Sequence, residues 1–347
     1  MDNTNKKNLK PLLSIKDLRT IFQTKIGEVV AVDGVNIDIQ HGEILAVVGE
    51  SGCGKSVLAR SILRIVPYPG FISHGSIQLD GIDILNSHEN VMNNIRGDLI
   101  SMVFQEPMAS LNPVLTVGDQ ISEILVEHRP KLTSNERRQK VLEMMHTVGI
   151  ASPENRINAY PHQLSGGMRQ RIMIAMALIC GSSKLLIADE PTTSLDVTIQ
   201  AQILDLFKKL QTAEDMSIML ITHDLGVVAE IADKVAVMYA GSIVEFSDKL
   251  TIFKKTSHPY TIGLLKSLPQ KNNSSSKEPL YTIKGMVPSL SEVLPGCKFY
   301  SRCPHALEEV CLGQEPPFEE ITPGHWVRCY RLNIVNEKEL SDLALKL

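Results

Sequence analysis

Apolar residues recur along the chain in two patterns that predict two kinds of strand. Residues 12–18 and 29–40 alternate apolar and polar positions, which is typical of antiparallel strands with one face in solvent. Residues 44–48 form a short continuous apolar run, which is typical of a strand buried on both faces. Further runs of this second kind occupy residues 99–104, 184–188, 218–222 and 235–239. Helical spacing lies between them, as in residues 199–210, so the pattern predicts a mainly parallel α/β sheet with crossover helices.

Changes in composition mark the expected domain boundaries. Strand signals stop between about residues 107 and 164, where amphipathic spacing predicts a helical insertion. Residues 269–279 contain Gln, Asn, Lys and three consecutive serines, a composition that predicts a flexible linker. We therefore expect one α/β domain over residues 1–268 and a small C-terminal module over residues 280–347.

Charge and hydropathy narrow the expected partners and location. The 347 residues carry 35 Lys and Arg against 39 Asp and Glu, a net charge of −4, so nucleic acid is not an expected partner. The longest apolar stretches, residues 44–48 and 172–180, are far shorter than the about 18 residues that predict a membrane-spanning helix. The polar N-terminal residues do not resemble a secretory signal. We expect a cytoplasmic chain that does not cross a bilayer by itself.

The strongest single signal is a glycine-rich loop between a predicted strand and a helical pattern. It fits the phosphate-binding consensus G-x-x-x-x-G-K-[ST]. The residues of this phosphate loop are Gly49, Glu50, Ser51, Gly52, Cys53, Gly54, Lys55 and Ser56. In such a loop the backbone N–H groups surround a triphosphate, Lys55 reaches the β and γ phosphates, and Ser56 binds Mg²⁺. The loop therefore predicts a site for ATP and Mg²⁺, in which Cys53 occupies a variable position without a catalytic role.

A second motif places two carboxylates after an apolar run. Residues 185–188 are apolar and lead directly into Asp189 and Glu190. In a site that hydrolyses nucleotide, Asp189 would join the Mg²⁺ coordination sphere and Glu190 would polarise the attacking water. Alone, such a run is often only a strand that reaches the surface. Its pairing with the phosphate loop favours the catalytic interpretation.

Further motifs give a family resemblance. Residues 164–170, Leu-Ser-Gly-Gly-Met-Arg-Gln, resemble the signature sequence of ABC ATPases, and Ser165 stands 24 residues before Asp189, as in that family. The other landmarks that appear in the family's order are Gln105, Ser194-Leu195-Asp196 and His223. The resemblance spans about residues 12–246. It implies a P-loop NTPase fold of the ABC type, with an antiparallel β subdomain and a helical insertion, and the boundary at residues 269–279 adds a small C-terminal cysteine-containing module.

The resemblance to ABC ATPases also implies a head-to-tail pair of subunits. Each ATP would lie between the phosphate loop of one subunit and the signature of the other, where Ser165, Gly166 and Gly167 open a helix and present N–H groups to the γ-phosphate. By the same resemblance, Gln105 would sense Mg²⁺ and the attacking water, and His223 would contact the γ-phosphate. The catalytic residues that the family implies are Glu190, His223, Gln105 and Lys55, and Asp196 joins the nucleotide-binding set.

Phe22 is a candidate platform for the adenine ring. It precedes the phosphate loop and offers an aromatic face for stacking. Packing in the core is an equally good interpretation of this residue, so both stay open.

The C-terminal residues narrow the resemblance to one branch of the family. His258-Pro259-Tyr260-Thr261, Gly285-Met286-Val287-Pro288 and Arg302-Cys303-Pro304 are similar to the C-terminal extension of ATPases that serve oligopeptide and dipeptide importers. That branch implies a homologous second ATPase, two transmembrane permease subunits, an extracytoplasmic peptide-binding protein and a peripheral position on the cytoplasmic face of the membrane. The alternatives are an importer of nickel, opines or another small solute, an exporter subunit, and a soluble ABC ATPase without a transport role.

Four of the six cysteines lie near the C-terminus and require a separate explanation. They are Cys297, Cys303, Cys311 and Cys329. A reducing compartment argues against disulfides, and the spacings fit neither the usual zinc hairpins nor the common ferredoxin patterns. The spacing itself leaves zinc, an iron–sulfur cluster and free or oxidised thiols open. The resemblance to the peptide-importer branch favours a structural 4Fe-4S cluster.

Overall fold

The structure is a computed structural model that describes residues 10–25, 27–105, 110–193, 195–268, 281–290 and 295–332. The chain forms two compact units. Within the described residues, the first unit comprises 10–14, 38–44 and 78–221, and the second comprises 15–37, 45–77 and the residues from 222 onward. The predicted linker at 269–279 lies outside the described residues, so the predicted division at that point stays a prediction.

The described residues form strands and helices with the following bounds. The strands are β1 (Leu13–Thr24), β2 (Gly27–Ile39), β3 (Ile44–Val48), β4 (Gly70–Leu79), β5 (Ile82–Asp83), β6 (Ile100–Val103), β7 (Leu185–Asp189), β8 (Ser217–Thr222), β9 (Lys234–Tyr239), β10 (Ser242–Asp248), β11 (Glu319–Thr322) and β12 (His325–Val327). The α-helices are α1 (Lys55–Ile62), α2 (Glu89–Asp98), α3 (Val117–His128), α4 (Ser134–Thr147), α5 (Pro153–Arg156), α6 (Gly166–Leu178), α7 (Val197–Glu214), α8 (Leu225–Ile231), α9 (Lys249–Lys255), α10 (Pro259–Lys266) and α11 (Glu308–Cys311).

Parallel strands form the centre of the first unit. Strand β7 lies between β6 and β8, with Ile100 opposite Leu185 and Leu185 opposite Ser217. Every residue of β7 and β8 is buried, as expected for strands that are covered on both faces. The apolar runs predicted at 99–104, 184–188 and 218–222 are confirmed to within a residue at each end. The carboxyl end of β7 carries the candidate acidic residues Asp189 and Glu190.

Helices fill the stretch where the sequence predicts a helical insertion. Helix α3 buries Val117, Ile121 and Leu125, whose spacing places them on one face. Helix α4 begins with a capping box, because the Thr133 hydroxyl accepts a hydrogen bond from the Glu136 N–H and the Glu136 side chain accepts one from the Thr133 N–H. Both helices pack against α6, the helix that follows the signature residues.

The second unit contains a mixed sheet. Strand β3 pairs in parallel with β9, β9 pairs antiparallel with β10, and β12 continues the sheet antiparallel to β10 and β11. The runs predicted for β3 and β9 are confirmed. Strand β10 was not predicted, because Glu245 interrupts its apolar pattern although the side chain is fully buried.

A second sheet in this unit has the strand order β2, β1, β4. The alternating patterns at 12–18 and 29–40 lie within or beside β1 and β2, which are longer than predicted. Strand β4 has only two fully buried positions, so its sequence gave no clear periodic signal. The alternation of apolar and polar residues therefore predicts a strand only where its apolar side chains are buried.

The described C-terminal residues belong to the second unit. Phe299 lies in the same hydrophobic core as Val237 of β9, Tyr239 and Tyr260. Strand β12 extends the sheet beyond β10, with Phe246 opposite Trp326. Residues 295–332 are therefore part of the same unit as the phosphate loop. In the part of the chain that the structure describes, no helix is both long and apolar enough to span a membrane.

Candidate functional site

The phosphate loop connects a buried strand to a helix in the second unit. All five residues of β3 are buried, and α1 begins at Lys55. Gly54 precedes the helix with a left-handed φ of 106°. A Cβ at this position would collide with the backbone oxygen of Ala31, so both the conformation and the space require glycine. The loop is thus held in a curled form that leads into a helix N-terminus, the arrangement expected to bind phosphate.

Lys55 is held inside this loop. Its side-chain Nζ donates hydrogen bonds to the backbone oxygens of Gly49 at 2.9 Å and Glu50 at 3.0 Å. The residue is only 5% exposed. The position of the ammonium therefore depends on where the first two residues of the loop lie. Ser56 follows in the first turn of α1 and is half-buried.

Cys53 lies inside the loop as a neutral thiol. It is fully buried, and burial raises its pKa. Its sulfur lies close enough to Gly49 that a Cβ there would meet it at 2.8 Å. These contacts support the expectation of a space-filling residue without a catalytic role.

The loop residue Glu50 is bound by two side chains that sequence reasoning missed. Arg302 donates to both carboxylate oxygens of Glu50, at 2.7 and 3.0 Å. The Tyr260 hydroxyl accepts a hydrogen bond from the Glu50 N–H at 2.9 Å. These partners are 252 and 210 residues away in sequence, so no local pattern could have revealed them.

Two other predicted residues of the second unit have different surroundings. The Phe22 ring is half-buried and lies against Gly70, where a Cβ would meet the ring at 2.5 Å. One edge of the Phe22 ring is therefore packed against the protein. Stacking of its face on adenine stays a prediction. His223 is exposed and directly follows β8.

The acidic pair lies at the carboxyl end of β7 in the first unit. Asp189 is 3% exposed, and Glu190 follows it in a left-handed conformation with φ 46°. Such a conformation costs a non-glycine residue on the order of 1–3 kcal/mol, and it tends to occur at functional sites. The Glu190 N–H donates to the backbone oxygen of Ile221 at 2.9 Å, which anchors this turn to the end of β8.

Two side chains orient the Glu190 carboxylate. Gln105 donates from Nε2 to Glu190 Oε2 at 3.0 Å, and the Thr193 hydroxyl donates to the same oxygen at 3.0 Å. The structure therefore brings together Gln105 and Glu190, which the sequence places 85 residues apart. Thr193 was not predicted, although it lies only three residues beyond Glu190.

The signature residues begin helix α6. The Ser165 hydroxyl accepts a hydrogen bond from the Met168 N–H at 3.3 Å and caps the helix. Gly166 faces open space, whereas a Cβ on Gly167 would meet the Ile199 side chain at 2.8 Å. The helix end can therefore be approached at Gly166, while Gly167 permits close packing on α7.

Asp196 performs a local role that the resemblance did not imply. Its carboxylate accepts a hydrogen bond from the Ile199 N–H at 2.9 Å and caps helix α7. The residue is exposed, so contact with nucleotide stays a prediction. Its neighbour Ser194 lies outside the described residues.

The four C-terminal cysteines line one cavity. Cys297, Cys303, Cys311 and Cys329 all contribute to its wall, and all are free thiols. Burial raises the pKa of Cys297 to about 12 and that of Cys303 to about 11, and the neighbouring thiols add to both shifts. Mutual repulsion between thiolates in one apolar cavity explains that contribution. Among the described residues, no three of these sulfurs lie within 4.8 Å of one another.

Another group of ligand-type side chains lies in the first unit. Asp98, His128 and Cys180 bring one oxygen, one nitrogen and one sulfur within 4.8 Å of one another. The Arg129 guanidinium pairs with Asp98 at 2.8 Å, and its positive charge opposes the binding of a cation. Burial, reinforced by Asp98, raises the pKa of Cys180 to about 11. We interpret this group as a structural cluster around the Arg129 ion pair.

Comparison with known proteins identifies the family. The ABC transporter family matches residues 32–193, and the oligopeptide/dipeptide transporter C-terminal region matches residues 244–311. A putative peptide import ATP-binding protein of Brucella ovis is 51% identical over 332 residues, covering 93% of this chain and 97% of that protein. The chain belongs to the ABC transporter ATP-binding proteins. Within that family, the oligopeptide transport ATP-binding protein OppD of Bacillus subtilis is 49% identical, covering 93% of this chain and 89% of that protein.

Solved structures place this ABC protein among the ATP-binding cassettes. The dimeric post-hydrolysis structure of the cassette MJ0796 bound to ADP and Pi has a TM-score of 0.62 and 27% identity, covering 68% of this chain and 98% of that one. CbiO1 from Clostridium perfringens has a TM-score of 0.60 and 29% identity, covering 71% of this chain and 92% of that one. The predicted fold class, an ABC-type P-loop cassette, is confirmed, and the ABC protein is an ATPase.

Proposed function

We propose that this ABC ATPase powers the uptake of oligopeptides or dipeptides through a membrane importer. The observation that supports this most strongly is the likeness to OppD and to the dipeptide transport ATP-binding protein DppD of Bacillus subtilis, each 49% identical over 93% of this chain. It extends through the C-terminal region, which matches the oligopeptide/dipeptide transporter family at residues 244–311.

The phosphate loop fits the triphosphate of ATP. Gly54 permits the left-handed turn that leads into α1, and the N-terminus of α1 adds partial positive charge. In the proposed complex the Lys55 ammonium contacts the β and γ phosphates. Ser56, Gln105 and Asp189 would hold Mg²⁺, and Gln105 would also contact the attacking water. When bound, Mg²⁺ neutralises charge on the phosphates.

Glu190 is the proposed base of hydrolysis. Its carboxylate accepts a proton from the water whose oxygen bonds to the γ-phosphorus, and the bond between that phosphorus and the bridging oxygen breaks, which releases ADP and phosphate. Gln105 and Thr193 hold this carboxylate in one orientation before the reaction starts. His223 orients the γ-phosphate and the water. Its position directly after β8 is compatible with this role.

The signature residues act on the nucleotide of a neighbouring subunit in this proposal. Gly166 is open to solvent at the start of α6, where N–H groups and the helix dipole attract anions. The partner is a homologous ATPase, and the pair docks on two permease subunits at the cytoplasmic face of the membrane. An extracytoplasmic peptide-binding protein delivers the solute. Asp196 and Phe22 complete the proposed contacts with nucleotide.

A structural 4Fe-4S cluster at the four C-terminal cysteines is a separate proposal. Zinc–sulfur bonds of about 2.3 Å in a tetrahedron place four sulfurs less than about 4 Å apart, whereas no three of the described sulfurs lie within 4.8 Å of one another. The proposal of a four-iron cluster rests on the resemblance of the C-terminal residues to the peptide-importer branch and on the presence of four cysteines around one cavity. Cys297, Cys303, Cys311 and Cys329 would hold it, and its chemistry would be that of a structural cross-link.

Iron and sulfide analysis of anaerobically purified protein tests this cluster. We expect about four of each per chain and a visible absorption band that is lost in Cys303→Ser. Colourless protein without iron would refute the cluster and leave the ATPase proposal intact.

Reconstitution of the full importer tests the proposed transport function. We expect ATP hydrolysis to rise when a peptide and the binding protein are added, with no such rise for nickel or an opine. A chain that copurifies with ribosomes or nucleic acid instead of permease subunits would contradict the proposal.

A further inference from the structure

Glu50 is the meeting point of the phosphate loop and the C-terminal residues of the second unit. Its carboxylate accepts two hydrogen bonds from the Arg302 guanidinium, and its N–H donates to the Tyr260 hydroxyl. Its backbone oxygen accepts a hydrogen bond from Lys55 Nζ at 3.0 Å. All polar groups of Glu50 are thus engaged, and Glu50 connects Arg302 and Tyr260 to the lysine of the loop. We call Arg302 and Tyr260 the Glu50 anchor.

The ion pair in the Glu50 anchor is not an ordinary surface contact. The Arg302 side chain is 3% exposed and the Glu50 side chain 30%. The two parallel hydrogen bonds fix direction as well as distance, and such charge-assisted pairs are about twice as strong as neutral ones. Hydrogen bonding to Glu50 raises the pKa of Arg302 above its usual range, so the guanidinium stays charged.

An aromatic cluster holds the Glu50 anchor in place. The rings of Tyr239, Tyr260 and Phe299 pack on one another with centroids 4.7 to 5.4 Å apart. The Arg302 guanidinium lies 5.8 Å from the centre of the Tyr239 ring, and its Nε donates to the backbone oxygen of Lys284 at 3.1 Å. Neither anchor residue can shift without disturbing a packed core. Movement of Glu50 is restrained in turn.

We propose that Arg302 and Tyr260 are positioning residues for nucleotide binding. By fixing Glu50 they hold the loop carbonyls that orient Lys55, so the loop is preorganised before ATP arrives. The inference rests on the proposed role of residues 49–56 as the phosphate loop. Preorganisation lowers the cost of binding rather than the barrier of the chemical step. The anchor therefore affects the affinity for Mg-ATP and leaves the turnover number nearly unchanged.

Binding and steady-state kinetics of the full chain test the Glu50 anchor. Arg302→Met should raise both the Kd and the KM for Mg-ATP about five- to tenfold, with kcat changed less than about twofold. Arg302→Lys should recover part of the affinity, because lysine keeps the charge but not the two-pronged geometry. Tyr260→Phe, which keeps the ring, should raise the Kd about two- to threefold.

A double-mutant cycle with Glu50→Gln separates loss of the Arg302–Glu50 ion pair from any effect of Arg302 that does not depend on Glu50. Arg302→Met in the Glu50→Gln background should cost little further affinity, because the partner of the ion pair is already lost. Glu315→Gln is the matched control, since it removes a different ion pair, with Arg328 at 3.2 Å, from the same C-terminal residues. We expect it to leave the Kd for Mg-ATP unchanged.

Lys55→Ala distinguishes failure of this inference from failure of the proposed site. If Lys55→Ala loses Mg-ATP binding while Arg302→Met binds as well as the wild type, the phosphate loop stands and the anchor is wrong. If Lys55→Ala binds normally, the proposed site itself is wrong. A purely structural Arg302 would lower the active fraction, hence apparent kcat, at unchanged KM, and that result would also overturn the anchor. Should Arg302→Met fail to fold, wild-type affinity in Tyr260→Phe would overturn it.

Discussion

Glu190, the proposed base, is held in one orientation by its immediate neighbours. A left-handed backbone turns it out of the line of β7, and a hydrogen bond to Ile221 holds that turn. Gln105 and Thr193 then bind one oxygen of its carboxylate. The side chain is therefore oriented by the fold before substrate binds, which favours a role in the transition state over a role in affinity.

Glu190→Gln tests that role at the residue scale. The amide keeps the shape of the side chain but cannot polarise water, so we expect Mg-ATP binding to be retained and hydrolysis to slow about 10²-fold or more. Thr193→Val, which leaves the carboxylate and removes one of its hydrogen bonds, should slow hydrolysis less than about tenfold. Single-turnover measurements of phosphate release decide between these outcomes. Near-wild-type rates in Glu190→Gln would remove this residue from catalysis.

Strand β10 is the element that joins the cassette to its C-terminal residues. Its Glu245 is fully buried and accepts hydrogen bonds from the Ser257 N–H at 2.7 Å, Thr256 at 2.7 Å and His325 at 2.8 Å. This carboxylate therefore links β10 to the segment before α10 and to β12. Burial alone would raise the pKa of Glu245, but these hydrogen bonds outweigh burial and lower it.

Glu245→Gln should destabilise the second unit because the amide cannot replace a carboxylate with several donors around it. We expect the free energy of unfolding at pH 7 to fall by about 2–3 kcal/mol. Urea unfolding measures this free energy. The fluorescence of Trp326, the one tryptophan of the chain, follows it, because Trp326 lies opposite Phe246 of β10. Glu319→Gln, an exposed control in β11, should have little effect. Equal losses in both variants would contradict the prediction.

The same variant has an expected pH dependence. Because the folded pKa of Glu245 is depressed, its contribution is fully present above the ordinary carboxyl pKa of about 4.5 and is lost as the pH falls through the lower folded value. The difference in stability between wild type and Glu245→Gln should therefore shrink only below about pH 4.5. A difference that vanishes already near pH 6 would assign the effect to another group.

Sequence patterns predicted the elements whose residues are uniform and missed those whose residues are mixed. The fully buried strand β3 was predicted with its observed bounds, and the phosphate loop and acidic pair were found because their chemistry is local. Strand β10 was missed because a buried Glu245 looks like a surface residue until its partners are known. Arg302 was missed for the same reason, since its partner Glu50 is distant in sequence.

At the scale of the whole molecule, the proposed reaction would use residues that are held in place separately in each unit. In the second unit the Glu50 anchor fixes the loop proposed to bind phosphate, and in the first unit Gln105 and Thr193 fix the carboxylate proposed to activate water. ATP would then hold two such chains together, and its cleavage would let them part. The likeness to a dimeric cassette bound to ADP and Pi supports this arrangement.

Sedimentation velocity of Glu190→Gln, alone and mixed with its homologous ATPase partner, tests this central claim most directly. The account predicts association when Mg-ATP is added and dissociation when it is removed, with no association of Lys55→Ala under the same conditions. Failure of Glu190→Gln to associate with itself or with its partner at saturating Mg-ATP would contradict it.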